Sequence, residues 1–157
     1  MKQAAALFGF LVLVYLTATI GAVGSMNAPD FYRELNQPGW APPGWLFGPV
    51  WTTLYTFMGI AAWLVWRVPH ENRIRNLWVF VVHLAVNALW SWLFFAWYLG
   101  LVSFLWILLL AAFIIFLIRE FWRVQKVAAW LLVPYLAWVS FAAVLNFTIW
   151  QLNPGVL

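Results

Sequence analysis

Five long apolar stretches constrain the fold of this chain more than any other feature. They run over about 4–25, 46–66, 76–97, 99–121 and 127–150, and no Asp, Glu, Lys or Arg lies in the middle of any of them. A helix that crosses a bilayer needs about 20 residues, so each stretch is long enough to span. The sequence therefore predicts an all-α fold: one membrane domain over 1–157, built as a bundle of five transmembrane helices, with loop 26–45 after the first.

The composition excludes several function classes. Hydrophobic residues make up 67% of the chain and charged residues 8%, whereas a soluble domain is about one quarter charged. Cysteine is absent, which excludes disulfides and thiol redox chemistry. Proton-coupled transporters usually carry an ionisable group inside the membrane, and no span has one. We see no nucleophile–base pair or phosphate loop, and we expect no nucleic-acid partner, no metal site, no required cofactor and no catalytic residues.

The basic residues predict the orientation. The first connection holds one basic residue, Arg33, and the third connection and the C-terminus hold none. The remaining seven lie at the N-terminus and in the second and fourth connections: Lys2, Arg67, Arg73, Arg75, Arg119, Arg123 and Lys126. Such an excess marks the cytoplasmic side. We therefore expect a bacterial cell membrane, with the N-terminus in the cytoplasm and the first loop and C-terminus outside.

The segment over 35–55 is rich in proline, glycine and tryptophan; it reads LNQPGWAPPGWLFGPVWTTLY. Its prolines fix φ and remove backbone donors, which predicts a stiff, non-helical lid until about Leu46. Trp40, Trp45 and Trp51 would then form a rigid aromatic rim suited to a large flat apolar ligand. The alternative is a belt of tryptophans at the membrane surface.

Uncharged polar side chains fall mostly in the outer half of the predicted spans, which indicates a cavity there beneath the first loop. Asn87 and Asn146 either line this cavity or hold helices together, since an amide in hydrocarbon needs partners. His83 lies one turn before Asn87, and we interpret it as hydrogen-bonded along that stripe rather than bound to a metal. Serine and threonine hydroxyls more often bond to their own helix.

The chain resembles the TspO/MBR family, which comprises the mitochondrial translocator protein and the bacterial tryptophan-rich sensory proteins. The resemblance covers nearly the whole chain and is most specific in three places. These are PGWAPP at 38–43 followed by Trp45 and GPVW at 48–51, Asn87 with Trp90, and PYLAW at 134–138 followed by Leu145 and Asn146.

The resemblance implies a five-helix bundle, often dimeric, that binds porphyrins such as protoporphyrin IX and haem, and in animal members cholesterol and synthetic drugs. It places Trp51, Asn87, Trp138 and Ala142 at pocket positions and Trp40 on the lid. The chain departs from the family at His83, where many members have glutamine. It also lacks the sterol-recognition pattern after Asn146, which makes sterol a weaker ligand hypothesis.

The sequence thus predicts a membrane receptor, sensor or transporter for tetrapyrroles, acting as a homodimer in contact with membrane lipid. Light- and oxygen-dependent degradation of the porphyrin, binding of a sterol, lipid or drug-like ligand, and a scaffold with its cavity filled by side chains are the alternatives. The predicted ligand-binding residues are Trp40, Trp51, Tyr55, His83, Asn87, Trp90, Ser91, Trp138, Ala142 and Asn146.

Overall fold

The computed structural model describes residues 2–157, and these form helices and short connections without a β-strand. The helices are α1 (Lys2–Gly24), α2 (Ala28–Glu34), α3 (Phe47–Arg67), α4 (Arg73–Ser91), α5 (Gly100–Val124) and α6 (Lys126–Leu152). A 3₁₀ turn, Gly44–Leu46, precedes α3, and a π-helical turn, Trp92–Ala96, extends α4. The all-α prediction is confirmed.

Four helical segments are long and apolar enough to cross a membrane: Lys2–Gly24, Arg73–Ala96, Gly100–Val124 and Lys126–Leu152. Their best windows have a mean hydropathy between 1.8 and 3.1. The chain is therefore an integral membrane protein. At 21 residues, α3 is also long enough to span, but its mean hydropathy is lower and it is not one of these four.

The long helices pack around one hydrophobic core. The most extensive contact is between α5 and α6, while α1 packs against α3 and α4, and α3 against α6. Gly59 allows the close approach of α1 to α3, because a Cβ at this position would lie 3.0 Å from the Leu11 side chain. Gly100 has a similar role between α5 and α6, where a Cβ would lie 2.4 Å from Trp150.

The segment 26–45, predicted as loop throughout, contains a helix. Helix α2 spans Ala28–Glu34 and has Pro29 in its first turn, where proline's fixed φ favours helix initiation. Phe31 and Tyr32 are buried and form a second hydrophobic cluster with the π-helical turn after α4 and the C-terminal part of α6. The prediction missed α2 because its seven residues are too few for a periodic pattern, and its stability comes from this packing.

Between α2 and the 3₁₀ turn at Gly44–Leu46 the first connection is non-helical, as the prolines predict, with a hydrogen-bonded turn from Pro38 to Ala41. Tyr32 donates a hydrogen bond to the carbonyl of Pro42 at 3.1 Å, and the Gln37 amide donates to the carbonyl of Tyr32. Burial raises the pKa of the Tyr32 hydroxyl above its ordinary value. Residues 28–46 form the first-loop cover, which closes one end of the bundle.

The turn between α4 and α5 contacts the first-loop cover. Tyr98 has a φ of 55°, a conformation that favours glycine, and its ring lies 4.6 Å from that of Phe31. Asn153, just after α6, accepts a hydrogen bond at Oδ1 from the backbone N–H of Asn36 (2.9 Å) and donates from Nδ2 to the Asn36 carbonyl (3.0 Å). The cover is thus attached both to the α4–α5 turn and to the end of α6.

Candidate functional site

A buried chain of hydrogen bonds joins α3, α4 and α6 at the centre of the bundle. Tyr55 donates its hydroxyl to Oδ1 of Asn87 at 2.5 Å, and Nδ2 of Asn87 donates to the hydroxyl of Tyr135 at 2.8 Å. Nε2 of His83 lies 2.9 Å from the same hydroxyl, and Nδ1 of His83 lies 3.2 Å from the Phe80 carbonyl. The structure therefore brings three predicted site residues, Tyr55, His83 and Asn87, into one network.

Only one assignment of protons satisfies all of these groups with a neutral imidazole. A carbonyl can only accept, so Nδ1 of His83 carries the proton and donates it to Phe80. Nε2 is then an acceptor and takes the Tyr135 O–H, while the Tyr135 oxygen accepts from Asn87. A buried polar network in which every member has a partner costs little to bury and fixes the packing of its helices. His83 is thus bonded along the Asn87 stripe.

Trp51 covers the Tyr55 side of this network. Its ring centroid lies 5.6 Å from that of Tyr55 and 6.1 Å from that of Tyr135, and its side chain is half-buried. Such contacts between aromatic rings contribute about 0.5–1.5 kcal/mol each beyond the area they bury. The Trp51 ring therefore separates the polar network from the end of the bundle under the first-loop cover.

A row of aromatic rings leads from the first-loop cover to Trp138. Trp40 is about half exposed (49%), and its ring lies 5.8 Å from that of Phe141. Phe141 is 5.6 Å from Trp138, which lies 5.8 Å from Phe47 at the start of α3. Two predicted site residues, Trp40 and Trp138, thus belong to one aromatic surface under the first loop.

Trp138 has a property that distinguishes it from the other site residues. Its indole N–H is buried, and within residues 2–157 no acceptor lies within hydrogen-bond distance of it. A buried donor without a partner costs about 1–3 kcal/mol, so most proteins avoid one. This donor is therefore left without an acceptor from the described chain.

The second predicted amide, Asn146, has a helix-joining position. Its Oδ1 accepts the indole N–H of Trp90 at 3.2 Å, and its Nδ2 lies 3.4 Å from the Gly100 carbonyl. Trp90 also stacks on Phe94 with ring centroids 5.6 Å apart. Asn146 and Trp90 therefore connect α4, α5 and α6 as a group separate from the Tyr55–His83–Asn87 network.

The last two predicted site residues lie at packing surfaces. Ser91 faces α1, where its Oγ lies 3.5 Å from the position of a Cβ on Gly21. Ala142 is buried in the core one residue after Phe141. Threonine hydroxyls in the N-terminal part of α3 bond to carbonyls of their own helix, for example Thr52 to Gly48 at 2.9 Å.

Sequence reasoning did not select two residues that organise this region, Tyr135 and Asn153. Tyr135 is fully buried and connects Asn87 to His83, although the PYLAW motif that contains it was noted. Its position directly after Pro134, inside a helix, is the signal that could have drawn attention to it. Asn153 lies beyond the predicted end of the last span, and its partner Asn36 is 117 positions away along the chain.

Comparison with known proteins gives the family of this chain. The model of the TspO/MBR family matches residues 9–151. The chain belongs to the TspO/MBR family. Among relatives, the tryptophan-rich protein TspO of Chlorobaculum tepidum is 43% identical over 145 residues, covering 88% of this chain and 92% of that protein. Protein CrtK of Rhodobacter capsulatus is 36% identical, with 93% of each chain covered, and the human translocator protein is 36% identical, with 80% and 76% covered.

Membership in the TspO/MBR family confirms the resemblance recognised in the sequence. The names of its members include translocator protein and tryptophan-rich sensory protein, the latter from Cereibacter sphaeroides at 35% identity. No cluster of three or more His, Asp or Glu side chains that could hold a metal ion occurs in the part of this TspO/MBR chain that the structure describes.

Proposed function

We propose that this protein is a membrane receptor, sensor or transporter that binds a tetrapyrrole such as protoporphyrin IX or haem. In this proposal α3 is a fifth span, and the binding site is in the outer half of the bundle under the first-loop cover. The N-terminus is in the cytoplasm of a bacterial cell, and the first loop and C-terminus are outside. The TspO/MBR resemblance further supports a homodimer.

The unpartnered indole N–H of Trp138 is the observation that carries the proposal. It is buried beside the rings of Phe47 and Phe141, so a ligand that reaches it must present an acceptor together with a large apolar face. A porphyrin has both, because its macrocycle is flat and its propionates accept hydrogen bonds. Trp40, at the edge of the same aromatic surface, gives this ligand a further ring to stack on.

Entry of such a ligand requires the first-loop cover to open. Asn87 and His83 already have partners within the chain, so a ligand that takes the place of an existing partner of Asn87 displaces the hydroxyl of Tyr55 or Tyr135. The exchange replaces one hydrogen bond by another and therefore costs little if the ligand supplies the equivalent group. The scaffold alternative predicts instead that these bonds do not open.

Titration of protoporphyrin IX into the purified protein in detergent tests the proposal, with porphyrin absorbance as the readout because it does not depend on tryptophan content. Trp138→Phe removes the N–H and part of the stacking area, and we expect affinity to fall about fivefold, which corresponds to about 1 kcal/mol. The matched control is Trp78→Phe, an indole that is 67% exposed on α4. Equal affinities of both variants and the parent protein would reject Trp138 as a ligand contact.

Light- and oxygen-dependent degradation of the bound porphyrin is a second candidate function. It is supported by the contacts of Trp51 with Tyr55 and Tyr135, which place three oxidisable side chains next to the proposed site. Illumination of the porphyrin complex in air should then bleach the porphyrin faster than illumination without oxygen, and faster than free porphyrin in the same detergent. Equal bleaching of bound and free porphyrin would leave binding alone as the function.

A further inference from the structure

The end of the bundle opposite the first-loop cover carries a concentration of charge on α5 that the proposed tetrapyrrole function does not use. Glu120 is buried there, with 7% of its side chain exposed, and it is paired with Arg123 at 2.7 Å and with Arg75 of α4. These ion pairs neutralise the carboxylate and hold the end of α5 against the start of α4.

Arg119 differs from these paired arginines. It lies one turn before Arg123 on an exposed face of α5, and within residues 2–157 it has neither an ion pair nor a side-chain hydrogen bond. Lys126 lies just beyond α5, where its ammonium is 5.7 Å from the ring of Trp122. The surface therefore carries positive charge that Glu120 does not balance.

Two adjoining shallow depressions, of about 330 and 440 Å³, lie on the open surface of α5; residues of this helix alone line them, and both include Arg119 and Arg123. The larger one continues along α5 past Phe116 and Ile115 to Ala112. Seven residues of helix rise about 10 Å, so this face of α5 has cationic groups at one end and exposed apolar side chains at the other. Trp122, in the smaller depression, is 44% exposed and suits the headgroup level of a bilayer.

We propose that this surface is a binding site for an anionic phospholipid. Arg119, Arg123 and Lys126 contact the lipid phosphate, and an acyl chain lies along the exposed side chains of Ile115 and Phe116. The charge of the surface favours an anionic lipid. A zwitterionic lipid has the same acyl chains, but its headgroup also carries a cation, which the basic side chains near Glu120 (Arg75, Arg119, Arg123 and Lys126) would repel. The proposal depends on the chain being in a membrane and is independent of tetrapyrrole binding.

Native mass spectrometry of the detergent-solubilised protein tests this site. Dioleoyl phosphatidylglycerol and dioleoyl phosphatidylcholine are titrated separately, and we expect the protein to retain the anionic lipid preferentially. Arg119→Gln removes a charge that pairs with nothing else in the described chain, so folding should be unchanged by circular dichroism. Its affinity for phosphatidylglycerol should fall about fivefold, the effect of one basic residue at a membrane surface, and its affinity for phosphatidylcholine should stay the same.

Arg67→Gln is the matched control. Arg67 ends α3 at the same end of the bundle, since the neighbouring Trp66 carbonyl accepts a bond from Arg73 at the start of α4, but its guanidinium lies over Trp63 rather than on α5. This variant should retain phosphatidylglycerol like the parent protein. Equal losses in both variants would show that the overall charge of this end, and not a site on α5, attracts the lipid. Equal retention of the two lipids by the parent protein would also overturn the proposal.

Discussion

Replacement of Tyr135 by phenylalanine should destabilise the bundle more than the same change at Tyr55. The Tyr135 hydroxyl is bonded to both Nδ2 of Asn87 (2.8 Å) and Nε2 of His83 (2.9 Å), whereas the Tyr55 hydroxyl is bonded only to Oδ1 of Asn87. Both substitutions keep the ring, so they leave no large cavity. The difference between them therefore reports the number of hydrogen bonds lost.

The magnitude follows from that count. An interhelical hydrogen bond in a membrane protein contributes about 0.6 kcal/mol on average and up to about 1.7, because the unfolded chain in lipid also finds partners. Tyr55→Phe breaks one such bond and should cost roughly 0.6–1.7 kcal/mol, while Tyr135→Phe breaks two and should cost about 1–3 kcal/mol. For a chain of this size, 1 kcal/mol lowers the Tm by about 2–4 °C.

Thermal unfolding in detergent, followed by circular dichroism, measures both variants and the double variant. The two tyrosine hydroxyls bond to the same Asn87 amide. If they form one network, the loss of stability in the double variant should differ from the sum of the losses in the two single variants. A Tyr135→Phe protein that unfolds at or above the temperature of Tyr55→Phe would refute the reasoning. So would strict additivity of the two changes.

Three further predictions concern topology, packing and the cover. A reporter fused to the C-terminus should be active outside the cytoplasm, and the opposite result would reverse the proposed orientation. Gly100→Ala should lower the free energy of unfolding by about 1–3 kcal/mol, because the added Cβ would lie 2.4 Å from Trp150. Gly9→Ala should not destabilise the protein, because its Cβ would meet no atom within 4 Å, and calorimetric unfolding of the two variants compares these effects. Asn153→Ala removes both bonds to Asn36 and should speed porphyrin release about five- to tenfold in stopped-flow displacement; an unchanged rate would show that these bonds do not hold the cover closed.

The sequence predicts the helices well, because the length and composition of an apolar run are local properties. The predicted span over 4–25 lies within two residues of α1 at both ends, and that over 127–150 lies within two residues of α6. The predicted span over 76–97 starts three residues after α4 begins at Arg73, and it includes the π-helical turn. The amino-acid composition of this stretch does not indicate that its last turn is π-helical.

The site is less predictable because it depends on which helices are neighbours. The amide of Asn87 needs partners in a bundle core, and this need can be inferred from one residue. The identity of these partners cannot be inferred in this way, because Tyr55 and Tyr135 lie 32 and 48 positions from Asn87 along the chain and only the packing of the helices brings them together. The same is true of Asn153, and the helix α2 was missed because tertiary contacts of Phe31 and Tyr32 stabilise it.

The threonines of α3 affect how this helix partitions between water and lipid. Each hydroxyl has an acceptor in the preceding turn: Thr52 bonds to Gly48, Thr53 to Pro49 at 3.0 Å and Thr56 to Thr52 at 2.8 Å. A hydropathy scale assigns each residue a fixed transfer free energy, as if its hydroxyl lost its hydrogen bonds to water without replacement. Here the replacement is already made inside the helix, which removes most of the cost of roughly 2–7 kcal/mol for an unpaired group. The free energy of transferring α3 into hydrocarbon is therefore more favourable than its residue-by-residue sum.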